Sequence, residues 1–157
     1  MSHDAASALP VEARSFQQRR AGIVTRALAS TVDFVVVGLA LVVLYALWNA
    51  TAFLIDPYGF AFAKPAQLEI LLAGELLLLA YFTASWATTG RTYGAHLMGL
   101  RVVGSRDNAL PWIKALVRSV FCVLFPFGLL WVLVNKENRS LQDLVLRTSV
   151  IYDWRPR

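Results

Sequence analysis

Cysteine is almost absent from this chain of 157 residues: Cys122 stands alone, which excludes an internal disulfide and a cysteine-based zinc site. Histidine is nearly as rare, and His3 and His96 lie too far apart in sequence to form a metal-binding spacing. Charge is scarce too, at 16% of residues against about 25% in an average soluble domain. Hydrophobic residues make up 57%, and the mean hydropathy is +0.55. This balance points to a membrane protein. The length allows one domain, with no internal repeat and little room for a separate soluble enzyme domain. No nucleophile motif surrounds Ser85 or Ser119. The turn Gly90-Arg91-Thr92-Tyr93-Gly94 lacks the lysine and the spacing of a phosphate loop. An enzyme is therefore not expected, nor is a cofactor or a bound metal. The net charge of +5 is read as basic residues at a membrane surface, not as a nucleic-acid footprint.

Three long apolar segments remain. Residues 34–55 carry no charge, and these 22 residues would span about 33 Å as a helix, enough for a bilayer core of about 30 Å. The run is too long for a signal peptide and no small-residue cleavage site follows it. The second segment, residues 70–90, has Glu75 as its only acid and ends at Gly90, a residue favoured just past a helix end. The third covers residues 113–135, with Lys114 and Arg118 expected to snorkel toward water. Pro126 and Gly128 interrupt it, so a kink or break is expected there. The fold class that follows is an all-α membrane protein: a small transmembrane helix bundle with two spanning helices and a third, kinked membrane segment. Leu100–Val103 and Thr148–Tyr152 are the β-like runs outside these segments, and a short pairing between them is expected. Residues 1–13 read as a disordered tail, residues 14–154 as one membrane domain, and residues 155–157 as a short tail.

Positive charge sets the expected orientation. Arg14, Arg19, Arg20 and Arg26 precede the first segment, and Arg91, Arg101, Arg106, Lys114 and Arg118 follow the second. Between the first two segments stands only Lys64, against Asp56 and Glu69. The N-terminus and the second connection are expected in the cytoplasm. The tail, with Lys136, Arg139, Arg147, Arg155 and Arg157, is expected there as well, which a break at Pro126–Gly128 would permit.

Four acidic or basic positions stand out. Arg26 and Asp33 are seven residues apart, so two helical turns place them on one face. Simple interface anchoring is the plainer reading of both. Glu75 is the acid inside a hydrophobic run and reads either as an intramembrane proton carrier or as a snorkelling side chain. Asp143 falls in a stretch where Leu141, Leu144, Val145 and Thr148 recur at helical spacing. That spacing predicts a short amphipathic helix on the membrane surface, with Asp143 capping or pairing on its polar side.

Together these pieces resemble the RDD family of small bacterial membrane proteins, named for one arginine and two aspartates. Arg26 matches the arginine, Asp33 the first aspartate and Asp143 the second. The family's linker is similar to Gly90-Arg91-Thr92-Tyr93-Gly94 followed by Gly99-Leu100-Arg101-Val102-Val103. The resemblance covers about residues 19–154. The chain departs from it at Arg147, where the family usually has glycine or a small aliphatic residue, and at Ala95, near which many members carry a basic residue. The resemblance implies a multi-pass protein of the inner (plasma) membrane. It also implies that Arg26, Asp33 and Asp143 act together, with the arginine between two ionised carboxylates. Two functions follow as expectations. One is exchange of a monovalent cation for protons by a homo-oligomer. The other is a non-transporting scaffold or accessory subunit that binds a membrane protein partner through Gly38, Ala46 and Trp48.

Overall fold

The computed structural model describes residues 18–104, 110–125 and 140–154. The expected tails (1–13 and 155–157) and the expected break at Pro126–Gly128 lie outside the described residues. Helix α1 is Ile23–Ile55 and α2 is Gln67–Thr88; both are long and apolar enough to cross a membrane. At 33 residues, α1 is about 50 Å long. It begins eleven residues before the charge-free run, so Arg26 and Asp33 belong to the helix and not to its approach. Nothing in the local sequence stops a helix there, since residues 23–33 include Ala and Leu and no Pro or Gly. A short loop joins α1 to α2, and Asn49 fastens it. Its Oδ1 accepts from the Ala63 amide at 2.9 Å while the Tyr45 hydroxyl donates to the Ala63 carbonyl at 2.9 Å. Glu69 then accepts from the Ala66 amide at 3.0 Å, satisfying a free donor at the start of α2.

At the other end of α2, Gly90 takes φ +72° and its amide donates to the Ser85 carbonyl at 3.1 Å. This left-handed glycine is the helix stop that the sequence predicts. The chain turns into α3, Tyr93–Leu97, which Thr92 caps through its hydroxyl. Strand β1, Leu100–Val103, pairs antiparallel with β2, Ser149–Tyr152, in the register Leu100↔Tyr152 to Val103↔Ser149. The expected pairing of these two runs is thus present. Arg20 adds a bridge on β2 at Ile151, so residues near the start of α1 join the same small sheet.

Helix α4, Trp112–Leu124, packs along α2, and α5, Leu141–Leu146, packs on α4. The described part of the third apolar segment is this 13-residue helix. At about 20 Å it is shorter than a bilayer core.

An apolar core around Leu78, Phe82, Trp86, Leu100 and Val150 is present, but α1 and α4 bury polar side chains and expose apolar ones. The buried residues of α1 are Arg26, Ala29, Asp33, Val37 and Asn49, three of them polar. Leu39, Val42 and Leu47 on the same helix are about 60% exposed. Helix α4 buries Ala115, Arg118 and Ser119 and exposes Trp112, Ile113 and Leu124. Apolar surface on this scale costs nothing only where the surroundings are apolar. Polar side chains turn inward because lipid offers them no hydrogen bonds.

Candidate functional site: a buried aspartate between two arginines

Helix α5 positions the central group. Ser140 caps it by accepting from the Asp143 amide at 3.2 Å, and the Asp143 carboxylate accepts from the Ser140 amide at 3.3 Å. This reciprocal capping box holds Asp143 in one geometry. The carboxylate is fully buried. Its Oδ2 accepts from Arg26 at 2.6 Å and its Oδ1 from Arg118 at 2.6 Å. Thr148 also donates to Oδ1, at 3.3 Å. Arg26 comes from the first turn of α1, and its Nε donates to the Ala21 carbonyl at 3.2 Å. Arg118 comes from the middle of α4, and its guanidinium lies 5.0 Å from the Trp86 ring centre, a cation–π distance. Burial pushes the Asp143 carboxyl up, but Arg118 and Arg26 more than offset this and hold it well below the usual carboxylate range.

Asp33 sits apart from this triad. It is 3% exposed and accepts from three neutral donors: the Tyr81 hydroxyl at 2.7 Å, the Thr92 hydroxyl at 2.6 Å and the Gly94 amide at 2.8 Å. Tyr81 in turn accepts from the Tyr93 amide at 2.8 Å. Gly94 is required at this crossing, because a Cβ there would lie 2.0 Å from the Ala29 carbonyl oxygen of α1.

Three sequence expectations change. The expected arginine between two carboxylates is instead a carboxylate between two arginines, because α4 supplies Arg118 while α2 and the linker supply Asp33 with neutral donors. Arg118 does not snorkel: it is 2% exposed and ion-paired. Asp143 caps and pairs as expected, but from a fully buried position and not from the polar side of a surface helix. Gln142 and Asp143 point inward while Leu144 and Val145 are exposed, since Gln142 donates to the Phe125 carbonyl at 3.0 Å and Asp143 meets the arginines. Glu75 is exposed on α2 and joins neither carboxylate group.

Sequence reasoning missed Arg118, Tyr81 and Thr92 as partners. The available signal was the face of α4 that carries Ala115, Arg118, Ser119 and Cys122 at helical spacing. Small and polar residues on one side of a membrane helix mark its protein-facing side. A second node was also missed: Asp153 lies 3.0 Å from Arg91 and 3.4 Å from Arg101, tying the linker to the end of β2. Among the described residues, no group of three or more His, Cys, Asp or Glu side chains is placed to hold a metal ion.

A cavity of about 270 Å³ adjoins the triad. Its lining includes Arg26, Asp33, Glu75 and Arg118 together with apolar side chains such as Phe34 and Leu78.

An extensive apolar exterior, buried polar groups beside an apolar core, and two hydrophobic helices point to a small helical membrane protein. The model of the RDD family matches residues 20–147, a span that includes Arg26, Asp33 and Asp143. The chain belongs to the RDD family. A relative from Rickettsia prowazekii (strain Madrid E), described as an uncharacterized protein, is 23% identical over 86 residues. That alignment covers 54% of this chain and 50% of the relative, so the chain matches about half of that protein's length. No solved structure matches.

Proposed function

We propose that this protein is a non-transporting scaffold or accessory subunit of the inner (plasma) membrane, crossing it with α1 and α2. What carries the reading is the saturation of both family aspartates. Asp143 is shared by two guanidiniums, a hydroxyl and its own cap, and Asp33 accepts three hydrogen bonds. A carboxylate so engaged has little left to offer a passing cation. The charge distribution favours a cytoplasmic N-terminus and linker. The β1–β2 pairing then supports a cytoplasmic C-terminal segment, because the strands lie side by side. The partner surface on this reading is the open flank of α1. Trp48 is 70% exposed there, and a Cβ at Gly38 would meet nothing within 4 Å.

One observation favours cation/proton exchange as the second reading. Glu75 is an exposed carboxylate on a hydrophobic helix and lines the same cavity as Arg26 and Asp33. Proteoliposomes of the purified protein separate the two. The scaffold reading expects no sodium- or potassium-dependent proton flux above empty vesicles. It also expects Asp33→Asn to lower abundance, and one membrane protein to copurify in fixed stoichiometry. Cation-dependent flux that disappears in Glu75→Gln at matched reconstitution overturns it.

A further inference from the structure

We infer that the cavity beside the triad is a binding site for a small organic cation, an ammonium group carried on an apolar or aromatic body. The inference goes beyond the scaffold reading and does not depend on it.

Arg26 and Arg118 line the cavity and are both engaged by Asp143. Asp33, also in the lining, accepts from Tyr81, Thr92 and Gly94. Glu75 is the remaining charged group there, and among the described residues it has no hydrogen-bond or ion-pair partner. With Asp143 behind the arginines, two positive groups face three negative ones, and the unmatched charge is the Glu75 carboxylate. A carboxylate on a membrane-spanning helix is costly without a counter-charge. The group that completes it is a cation. A bare metal ion fits poorly, because hard cations take several oxygen ligands. Among the described residues no three acidic, His or Cys side chains gather to supply them.

The rest of the lining identifies what carries that cation. Glu75, Leu78, Phe82 and Trp86 follow at three- and four-residue spacing, so α2 presents them as one stripe along the cavity. Glu75 and Phe34 are exposed, whereas Leu78, Phe82 and Trp86 are buried. The carboxylate therefore stands at the mouth, and the apolar stripe leads inward. The Phe82 and Trp86 rings are stacked with centres 4.9 Å apart. Aromatic faces attract organic ammonium groups, quaternary ones included. Arg118 lies over Trp86 at the far end of the stripe, about 16 Å along α2 from Glu75. Its charge is thus too distant to oppose a cation held at the mouth. The matching ligand sets its ammonium against Glu75 and its body over Leu78 and Phe82. A volume of about 270 Å³ is slightly below the range of about 300–1,000 Å³ for small-molecule pockets. It takes one ring or a short branched chain, and it is too small for a partner protein's helix.

Isothermal titration of the purified full chain in neutral-detergent micelles tests this, with protein-free micelles subtracted. The probes are benzyltrimethylammonium and neopentylbenzene, its uncharged isostere. The expected result is saturable binding of one benzyltrimethylammonium per chain, roughly ten-fold or more tighter than neopentylbenzene. Glu75→Gln removes the charge from an exposed side chain. It should weaken benzyltrimethylammonium binding roughly ten-fold or more, with circular dichroism and melting temperature unchanged. Val123→Phe narrows the cavity from α4 while leaving Glu75 in place, and should weaken binding of both probes. Should Val123→Phe fail to fold, Glu75→Gln and the isostere comparison decide. Equal binding of the two probes overturns the inference. So does an absence of saturable binding, or an unchanged affinity in Glu75→Gln. Displacement by equimolar sodium also overturns it, by assigning Glu75 to an inorganic cation. The readout is neither flux nor copurification, so a failure here leaves the scaffold reading to its own test.

Discussion

Replacing Asp143 by asparagine leaves two buried guanidiniums facing a neutral amide. In the native protein each arginine makes a 2.6 Å ion pair to its own carboxylate oxygen, and neither side chain is more than 7% exposed. Removing one partner of a buried ion pair costs about 3–5 kcal/mol, because the remaining charge has no solvent. Here two charges are stranded by one substitution, so the upper part of that range is expected for Asp143→Asn. Each 1.4 kcal/mol is tenfold, so the unfolding equilibrium should shift by about three powers of ten. Asp33→Asn is the matched control. Its donors are neutral, and an amide oxygen still accepts from Tyr81 and Gly94, so the cost should be about 1–3 kcal/mol. Both variants are measured by equilibrium unfolding in mixed micelles with increasing denaturing detergent, read by tryptophan fluorescence. A double-mutant cycle of Arg118→Met with Asp143→Leu adds the coupling, expected above about 0.5 kcal/mol for residues in one network. Equal losses in Asp143→Asn and Asp33→Asn, or a coupling near zero, would refute the account of the triad as an electrostatic lock.

The pH dependence follows from the same pair. The folded-state pKa of Asp143 lies below its unfolded value of about 3.9. Between the two values the unfolded state binds more protons, so stability is fully present above about pH 4 and falls as pH drops toward the folded pKa. Acid titration of the melting temperature should show this loss in the wild type and a shallower one in Asp143→Asn. Gly94→Ala should destabilise by about 1–3 kcal/mol or more, since its Cβ would meet the backbone of α1. Gly38→Ala, with open space around it in a helix interior, should instead gain up to about 1 kcal/mol; thermal melts of both variants check the contrast. Arg147 has φ 51° at the end of α5, a left-handed conformation that costs a non-glycine residue about 1–2 kcal/mol. Arg147→Gly should stabilise the protein by about 0.5–1 kcal/mol after the entropy of glycine is subtracted, read as a higher melting temperature.

The helices were legible in the sequence because their signal is compositional: long runs without charge have one structural reading. The Gly90 stop and the β1–β2 pairing were legible for a related reason, since each rests on local residue preference. What the sequence did not reveal is which way α5 and α4 face. A surface helix in water and a helix beside lipid show the same periodicity with opposite sense. The Leu144 and Val145 face of α5 is the exposed one, as suits a helix against lipid, but its other side is buried in protein where a polar surface was expected. Arg118 was missed because a lone basic residue at the edge of an apolar run ordinarily reaches for water. Only the arrival of Asp143, 25 residues later in the chain, makes burial the better solution. Arg147 stood out in the sequence as a departure from the family resemblance, and its left-handed backbone is a conformation that favours glycine.

The placement of the polar contacts also explains why they are buried at all. Between helices in lipid, apolar faces gain little from meeting each other, since the hydrocarbon is equally good company. Specificity then falls to close packing and to the few polar groups inside. In this chain those groups join the elements pair by pair. Asp143 joins α5 to α1 and α4. Asp33 joins α1 to α2 through Tyr81 and to the linker through Thr92 and Gly94. Thr83 and Ser119 join α2 to α4 at 2.7 Å. Arg26 and Asp143 are 117 residues apart. At about 5–20 residues per second of synthesis, Arg26 waits about 6–23 s for its acid. During that interval the first turn of α1 has no buried counter-charge and is best accommodated at the aqueous interface. The triad therefore belongs to the last stage of assembly, and it is the feature that fixes the C-terminal segment against a helix formed at the other end of the chain.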